Sequence, residues 1–552
     1  MERAISLISF NANHQLQVRF LMLVISLVYL FNFHVNDIWT PNESFYAEAV
    51  REMFESGNFI EFFYNYEPRY KKPPLTYWAI AGSVAIFGIS EFAIRLPIVL
   101  MGILTVWFSY LLGKKLYGEK AGIYSMVMMA VSLQFLSVKQ YASPEVPLTL
   151  FFTASMFYFI KAYMEKNRTS LYLSYLMLGL AVLAKGFPYL IIAAGIIGLF
   201  LLIENWKNWK GLLNDIKFLK LHLGLPIVLI IGLSWIIFMY LKDGSAFWEV
   251  YYTETFGRAL SKPTRGPQPF FYVEVISWSI IPYSLAFFYA LIIAFKSQKN
   301  FKEVSFAFSW FITMFVIFTI SKGKIPTYII QAHPAMLLMI VPLLISLNPV
   351  KKISKTFWAF LFLFPGFLIV IGTIAIIQIL HLNIALYLIP TLVIFLAVLL
   401  YNQTFTKKNS KLVAWPFWAM VGFMIVFGSF FPKIEDYRPY DEIGKKLENR
   451  DDINDKTPLI IHETLIHNMP FYAKRKVIDY QTTEFIQKSE GPTLALVKNS
   501  ILNEFADFET VWSGLIYDFS SESQFFKFVM AVKKAEDGDL SKFAPYSLIY
   551  KE

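Results

Sequence analysis

The chain has 552 residues, 56% of them hydrophobic, 18% aromatic and 16% charged, with a formal net charge of +10 and no cysteine. That balance excludes an ordinary soluble enzyme, and the missing cysteine excludes disulfides and Cys-ligated metals. The positive excess reads as the Lys/Arg bias of cytoplasmic loops, not as a nucleic-acid surface, because no basic run accompanies a soluble fold.

Residues 18–33 form the first apolar run. No small-residue cleavage site follows it, so it is expected to stay as an anchor. Further runs long enough to cross ~30 Å of hydrocarbon as helix recur along the chain. Spans are expected at roughly 18–35, 91–113, 119–138, 147–164, 170–185, 187–204, 222–241, 271–295, 303–320, 326–347, 356–378, 385–402 and 413–431, about thirteen in all. The turns holding Lys114-Lys115, 161–168, 207–220, 296–302, Lys351-Lys352 and Lys407-Lys408 then fall on one side, expected to be the cytoplasm. The N-terminus is expected there too. The loops 36–90, 139–146, 242–270 and 321–325 face outward, with everything after residue 431. Residues 75–88 are apolar but short, and read as a helix lying in or dipping into the outer interface.

From residue 432 the composition becomes charged and no span follows. A helix is expected at 440–449, strands at 459–462, 476–479, 493–497 and 511–517, and a helix at 501–505. The expected architecture is an α-helical polytopic membrane protein. Residues 1–431 form the transmembrane domain with a large first outer loop at 36–90, and residues 432–552 form a small α/β domain outside the membrane.

Charge at a bilayer surface is costly unless it is solvated or used. Four patches on the outer side therefore stand out. The first is Asn42-Glu43 with Tyr46 and Glu48. The second is Lys71-Lys72-Pro73-Pro74. The third is Tyr141-Ala142-Ser143-Pro144-Glu145. The fourth is cationic: Lys185, Arg258, and Lys322 and Lys324 ahead of Tyr328. Cations on the outer edge run against the positive-inside bias, and an anion such as a lipid phosphate would explain them. Each patch also has a plainer reading. Pro41-Asn42-Glu43 suits a helix start, and Glu48 a solvated loop charge. Lys72-Pro73-Pro74 suits a turn before a helix, Glu145 a loop tip, and Lys322 and Lys324 snorkelling anchors. His462 and His467 read as surface residues, not metal ligands.

The order Asn42-Glu43-x-x-Tyr46-Ala47-Glu48, Arg51-Glu52-Met53, Gly57, Lys72-Pro73-Pro74, Tyr77-Trp78, Phe87-Gly88 and Arg95-Leu96-Pro97 resembles the GT-C glycosyltransferases that use polyprenyl-phosphate-linked sugars. The nearest branch is that of the lipid A aminoarabinose transferases, akin to the protein O-mannosyltransferases. Lys185-Gly186-Phe187 and the segment 321–328 match the same branch, and the resemblance covers most of residues 20–430. It implies a GT-C fold in a bacterial inner membrane with the C-terminal domain in the periplasm. It also implies an inverting transfer from a polyprenyl phosphate, undecaprenyl phosphate in a bacterium, to a lipid or protein acceptor. By position, Lys72, Arg258 and Tyr328 would hold the lipid phosphate with Lys185, Lys322 and Lys324 nearby. Glu43 and Glu145 would be the catalytic carboxylates, with Asn42 beside them. Tyr46, Glu48, Lys71 and Tyr141 would contact sugar or acceptor.

Two positions depart from that pattern. Where the family has Asp, this chain has Asn42, which cannot accept a proton as a general base. The acceptor is then already ionised, or Glu43 or Glu145 supplies the base, or catalysis is lost. Where the aminoarabinose branch has an acidic residue before Lys72, this chain has Lys71. That gives no support to a divalent metal there and favours a more anionic ligand; no cofactor is assigned. Two other readings stay open, a transporter of lipid-linked sugars and a non-catalytic assembly subunit. The inverted repeats and midplane polar residues of transporters are not evident in the sequence.

Overall fold

In a computed structural model of the protein, the structure describes residues 7–8, 13–257, 268–345, 355–404, 410–517 and 525–552. Six of the described helices are long and apolar enough to cross a membrane, among them Glu91–Tyr117, Glu145–Glu165 and Leu221–Thr255. Five shorter apolar helices join them: His14–Leu30, Leu75–Phe87, Pro188–Glu204, Ser305–Ile320 and Ile384–Val398. The helix starts follow the sequence. Asn13, Ser90, Asn167 and Asn208 each cap a helix by accepting a backbone N–H from the first turn.

Two stretches expected as single spans are broken. Residues 271–295 form the helices Phe271–Ser279 and Ser284–Ala294, bent by 120° at the intervening Pro282. Residues 119–138 form Glu119–Ala130 and then, past Val131-Ser132, the short helix Leu133–Val138. Helices Glu91–Tyr117 and Glu119–Ala130 pack closely because Gly122 lets the Tyr110 ring approach; a Cβ there would meet that ring at 2.8 Å.

The first outer loop is a folded unit. The helix Asn42–Ser56 is polar in sequence yet buried on most sides. It ends at Gly57 in the left-handed conformation, φ 71°. Strands β1 (Phe63–Tyr64) and β2 (Glu67–Pro68) make a hairpin whose turn, Asn65-Tyr66, has φ 55° and 63°. Beyond it runs the short helix Leu75–Phe87, at the place read as interfacial.

The C-terminal residues build a five-stranded sheet of order β4-β3-β5-β7-β6. Here β3 is Leu459–His462, β4 Val477–Gln481, β5 Thr493–Lys498, β6 Glu509–Tyr517 and β7 Phe543–Lys551. β3 lies parallel to β4 and β5; β7 is antiparallel to β5 and β6. The expected helix at 501–505 is a 3-10 helix, Asn499–Phe505. β7 is absent from the sequence reading although it lies inside the sheet. Its Pro545 argues against a central strand. The register resolves this: β5 pairs only with residues 546–551, so Pro545 faces β6 alone.

A single apolar core runs from the membrane helices into this sheet. It joins Tyr46, Tyr77, Ile98 and Met336 with Ile443, Leu459 and Leu494. Specific bonds reinforce the seam. Arg438 donates to the carbonyls of Asp37 and Ile38, each at 2.9 Å. The Tyr472 hydroxyl accepts from Ile38 N at 2.7 Å and donates to Glu91 at 2.7 Å. Asn65 makes two bonds to Val477, at 2.7 and 2.8 Å.

The buried helix carries one titration. Burial, with the adjoining Glu48 carboxylate, pushes the Glu52 carboxyl up to about 8. The folded state therefore holds this proton more tightly than the unfolded chain. Its stabilising contribution is complete below about pH 4.5 and is lost as pH rises through about 8. Stability should fall between those limits, and Glu52→Gln should remove that part of the slope and stabilise the protein at pH 8. Thermal unfolding of both proteins across that pH range measures it.

Candidate active site

The site begins with a buried ion pair. Glu43, in the first turn of the helix Asn42–Ser56, and Arg95, in the helix Glu91–Tyr117, are both fully buried. Arg95 donates to Glu43 twice, at 2.9 Å from Nε and 2.7 Å from Nη2. It also donates to the carbonyls of Asn36 and Asp37 at 2.5 and 2.9 Å. Glu43 accepts further from the backbone N–H of Trp39 at 2.8 Å and of Ala142 at 3.0 Å. One carboxylate thus ties the first outer loop to the 139–146 loop. The Tyr141 hydroxyl lies alongside, accepting from Asn42 N at 3.2 Å.

Beside that anchor two helices bring their ends together. Glu145 opens the helix Glu145–Glu165, and Lys185 closes the helix Arg168–Lys185, which stops at Gly186 with φ 116°. Their side chains meet at 2.8 Å. The Lys185 ammonium also lies 5.3 Å from the centre of the Tyr328 ring, from the 3-10 helix Pro326–Ala332. Beside this, Lys72 pairs with Glu254 at 3.2 Å. Both ion pairs keep only partial exposure, 10–15% for Glu145–Lys185 and 13–22% for Lys72–Glu254.

The hairpin supplies a third side. The Arg69 backbone N–H donates to Phe62 O at 2.7 Å, continuing the β1–β2 pairing. Phe62 and Arg69 therefore project to one face. Phe62 stacks on Tyr77 at 4.3 Å, and Arg69 Nε donates to the Tyr77 hydroxyl at 3.1 Å. Tyr46 stacks on the other face of this group, 4.4 Å from Tyr77. The Tyr46 hydroxyl is buried without a hydrogen-bond partner among the described residues and feels the charges of Arg69, Glu145 and Glu254. Burial pushes it above the ordinary tyrosine range, so it stays a neutral donor.

The structure thus brings Asn42, Tyr46, Lys72, Tyr141, Glu145, Lys185 and Tyr328 to one region. Other expected residues have different surroundings. Glu43 is saturated with bonds. Glu48 gives both oxygens to Arg51, at 2.7 and 2.8 Å, inside the outer helix packing. Lys324 turns back onto the carbonyls of Thr319 and Ser321, at 2.5 and 2.7 Å, and so caps the helix Ser305–Ile320. Lys322 and Lys71 are exposed. Arg258 lies outside the described residues. Sequence reasoning missed Arg69, Tyr77 and Glu254 as members of this region. The aromatic Tyr77-Trp78 pair was visible, but nothing local marks Arg69 or Glu254. Among the described residues no three His, Asp or Glu side chains are grouped to hold a metal ion.

The family of dolichyl-phosphate-mannose-protein mannosyltransferases matches residues 71–238. An uncharacterised protein of Aquifex aeolicus is 33% identical over 94% of this chain and 97% of its own length. Undecaprenyl phosphate-α-4-amino-4-deoxy-L-arabinose arabinosyl transferase 2 of Proteus mirabilis is 30% identical, spanning 56% of each chain. The crystal structure of ArnT from Cupriavidus metallidurans bound to undecaprenyl phosphate shares the fold, with TM-score 0.73 and 18% identity over 90% of this chain and 96% of that one. The chain is a glycosyltransferase of the GT-C fold. In this GT-C protein the Glu145–Lys185 and Lys72–Glu254 pairs lie in the same region as Tyr46 and Tyr141.

The Glu43–Arg95 pair has no water to fall back on. Removing one partner leaves a bare buried charge, so Arg95→Met should cost about 3–5 kcal/mol. Adding Glu43→Gln to it should recover part of that loss. Denaturant unfolding of the two variants in detergent provides the comparison.

Proposed function

We propose that this glycosyltransferase takes a sugar from undecaprenyl phosphate at the outer face of a bacterial inner membrane and transfers it, with inversion, to lipid A or a related glycolipid. The observation that carries this reading is the pairing of two outer-face lysines, Lys72 and Lys185, with carboxylates that a phosphate can replace. The ArnT-like fold supports it, as do relatives named as undecaprenyl-phosphate arabinosyl transferases. The proposed orientation places the N-terminus in the cytoplasm and the C-terminal sheet in the periplasm, with about thirteen spans.

In the reaction, an acceptor oxygen forms a bond to the anomeric carbon while the bond from that carbon to the phosphate oxygen breaks. The electron pair leaves with the polyprenyl phosphate. Lys72 and Lys185 stabilise the charge gained there, aided by the Tyr328 hydroxyl and by Arg258. Glu145, released from Lys185, orients sugar or acceptor. Glu43 acts as a positioning residue because every face of its carboxylate is engaged. With Asn42 at the position of the usual acid, no base acts there, and an acceptor already ionised as phosphate requires none.

Lys72→Ala should raise the KM for the donor by about tenfold or more, the worth of a charge-assisted hydrogen bond. Glu145→Gln should instead lower kcat by roughly 10²-fold. Wild-type kinetics in both would overturn the site. Lipid A and membrane glycolipids from cells with and without the protein should differ by one sugar mass. No such difference, with a sugar lost from glycoproteins instead, would shift the acceptor to protein.

A further inference from the structure

Far from the candidate active site, residues 205–220 join the helix Pro188–Glu204 to the helix Leu221–Tyr252. Because both neighbours are apolar helices, this connection stands at a membrane surface. Most of it is the helix Trp209–Phe218. One side of that helix is fixed to the protein. Leu212 and Leu219 are buried, and the Leu219 carbonyl accepts from the Tyr175 hydroxyl at 2.9 Å. Asp215 accepts from Asn205 Nδ2 at 2.9 Å, and from the Tyr163 hydroxyl and Lys166 Nζ, each at 3.1 Å. Tyr163 lies near the end of the helix that begins at Glu145, which places the contact roughly 30 Å along that helix from the Glu145–Lys185 pair.

A second side is apolar and uncovered. Trp209, Leu213 and Ile216 recur at the spacing of one helix side, with Trp206 in the turn before them. All four are exposed, the two tryptophans by 74% and 69%. Leu202 and Leu221 of the flanking helices are exposed too, so apolar surface borders the segment at both ends. Lys210 and Lys217 project opposite Leu212 and Leu219, and the apolar stripe lies between these two sides. Asp215, the one acid of residues 205–220, is taken by Lys166. Lys207, Lys210 and Lys217 are therefore exposed with no ion-pair partner among the described residues. Tryptophans held in water forgo the gain of burial, whereas the headgroup boundary of a bilayer suits an indole ring.

We infer that residues 206–218 form a membrane-surface anchor for anionic phospholipid, on the face of the membrane remote from the candidate active site. Trp206, Trp209, Leu213 and Ile216 sink to the acyl boundary, while Lys207, Lys210 and Lys217 reach the phosphates of the headgroup layer. Lysines along the edge of an apolar stripe match that layering, in which negative charge lies just above hydrocarbon. The uncompensated positive charge selects anionic over zwitterionic lipid. The anchor is independent of the transfer chemistry. It holds the start of the helix Leu221–Tyr252, whose far end leads to Glu254.

The chain has no cysteine, so one introduced cysteine carries a fluorescent label at a single place. The full-length protein is labelled at Leu213→Cys, in the stripe, or at Asn214→Cys, beyond the lysines. Each is reconstituted into phosphatidylcholine vesicles that contain a minor share of lipid brominated on its acyl chains, either phosphatidylcholine or phosphatidylglycerol. Thermal unfolding like that of the unlabelled protein selects the labelled proteins used. The label at 213 should be quenched, and the label at 214 much less. Brominated phosphatidylglycerol should quench the label at 213 more than brominated phosphatidylcholine does, by roughly threefold or more. Combining Lys207→Gln, Lys210→Gln and Lys217→Gln should bring the two lipids level while the label at 213 stays quenched. A label at 213 quenched by neither lipid, or no more than the label at 214, would overturn the anchor and leave the stripe to a protein partner. Equal quenching by the two lipids with the lysines in place, or an undiminished preference without them, would overturn the selection of anionic headgroups.

Discussion

The Glu43–Arg95 pair is the constraint on which the placing of the 36–90 loop depends. A carboxylate and a guanidinium with no exposed surface persist only if each lone pair and each N–H has a partner. Those partners come from three separate stretches of chain: 36–39, 142 and the helix Glu91–Tyr117. Satisfying the pair fixes the start of the outer helix against the 139–146 loop. That in turn sets where Glu145 and Tyr46 stand. The carbonyls of Asp37 and Ile38 also accept from Arg438, so the same knot reaches the C-terminal region.

Around that knot, two further ion pairs are organised differently. Glu145–Lys185 and Lys72–Glu254 are ion pairs of moderate burial at the ends of helices. Such pairs hold lysines in place at little net gain in stability, because desolvation offsets most of the attraction. A buried, saturated pair thus serves as framework, and two less buried pairs stand beside it.

The C-terminal region belongs to this design. Its sheet shares one apolar core with the membrane helices, and Tyr472, Asn65 and Arg438 bond across the seam. The first outer loop is thereby packed from below by helices and from above by the sheet. That explains how a helix as polar as Asn42–Ser56 is buried on most sides. Its carboxylates then titrate high or pair with Arg51, since water no longer solvates them.

By itself the sequence determined what depends on local pattern. Apolar runs set by hydrocarbon thickness gave most of the helices, polar caps gave their starts, and β-rich segments gave four of the five C-terminal strands. The Lys72-Pro73-Pro74 and Pro144-Glu145 turns marked a site because a charge beside a proline at a membrane edge stands out in one dimension. Tertiary structure alone decided which charges are fully buried and saturated and which keep some exposure. Glu43 and Lys324 look as reactive in sequence as Glu145 and Lys185, but the first meets Arg95 and the second meets three carbonyls. Arg69 carries no local signal at all; its place beside Tyr77 follows from a hairpin register. Burial and pairing are properties of neighbours distant in sequence, and a charge's free energy is set by them rather than by its own segment.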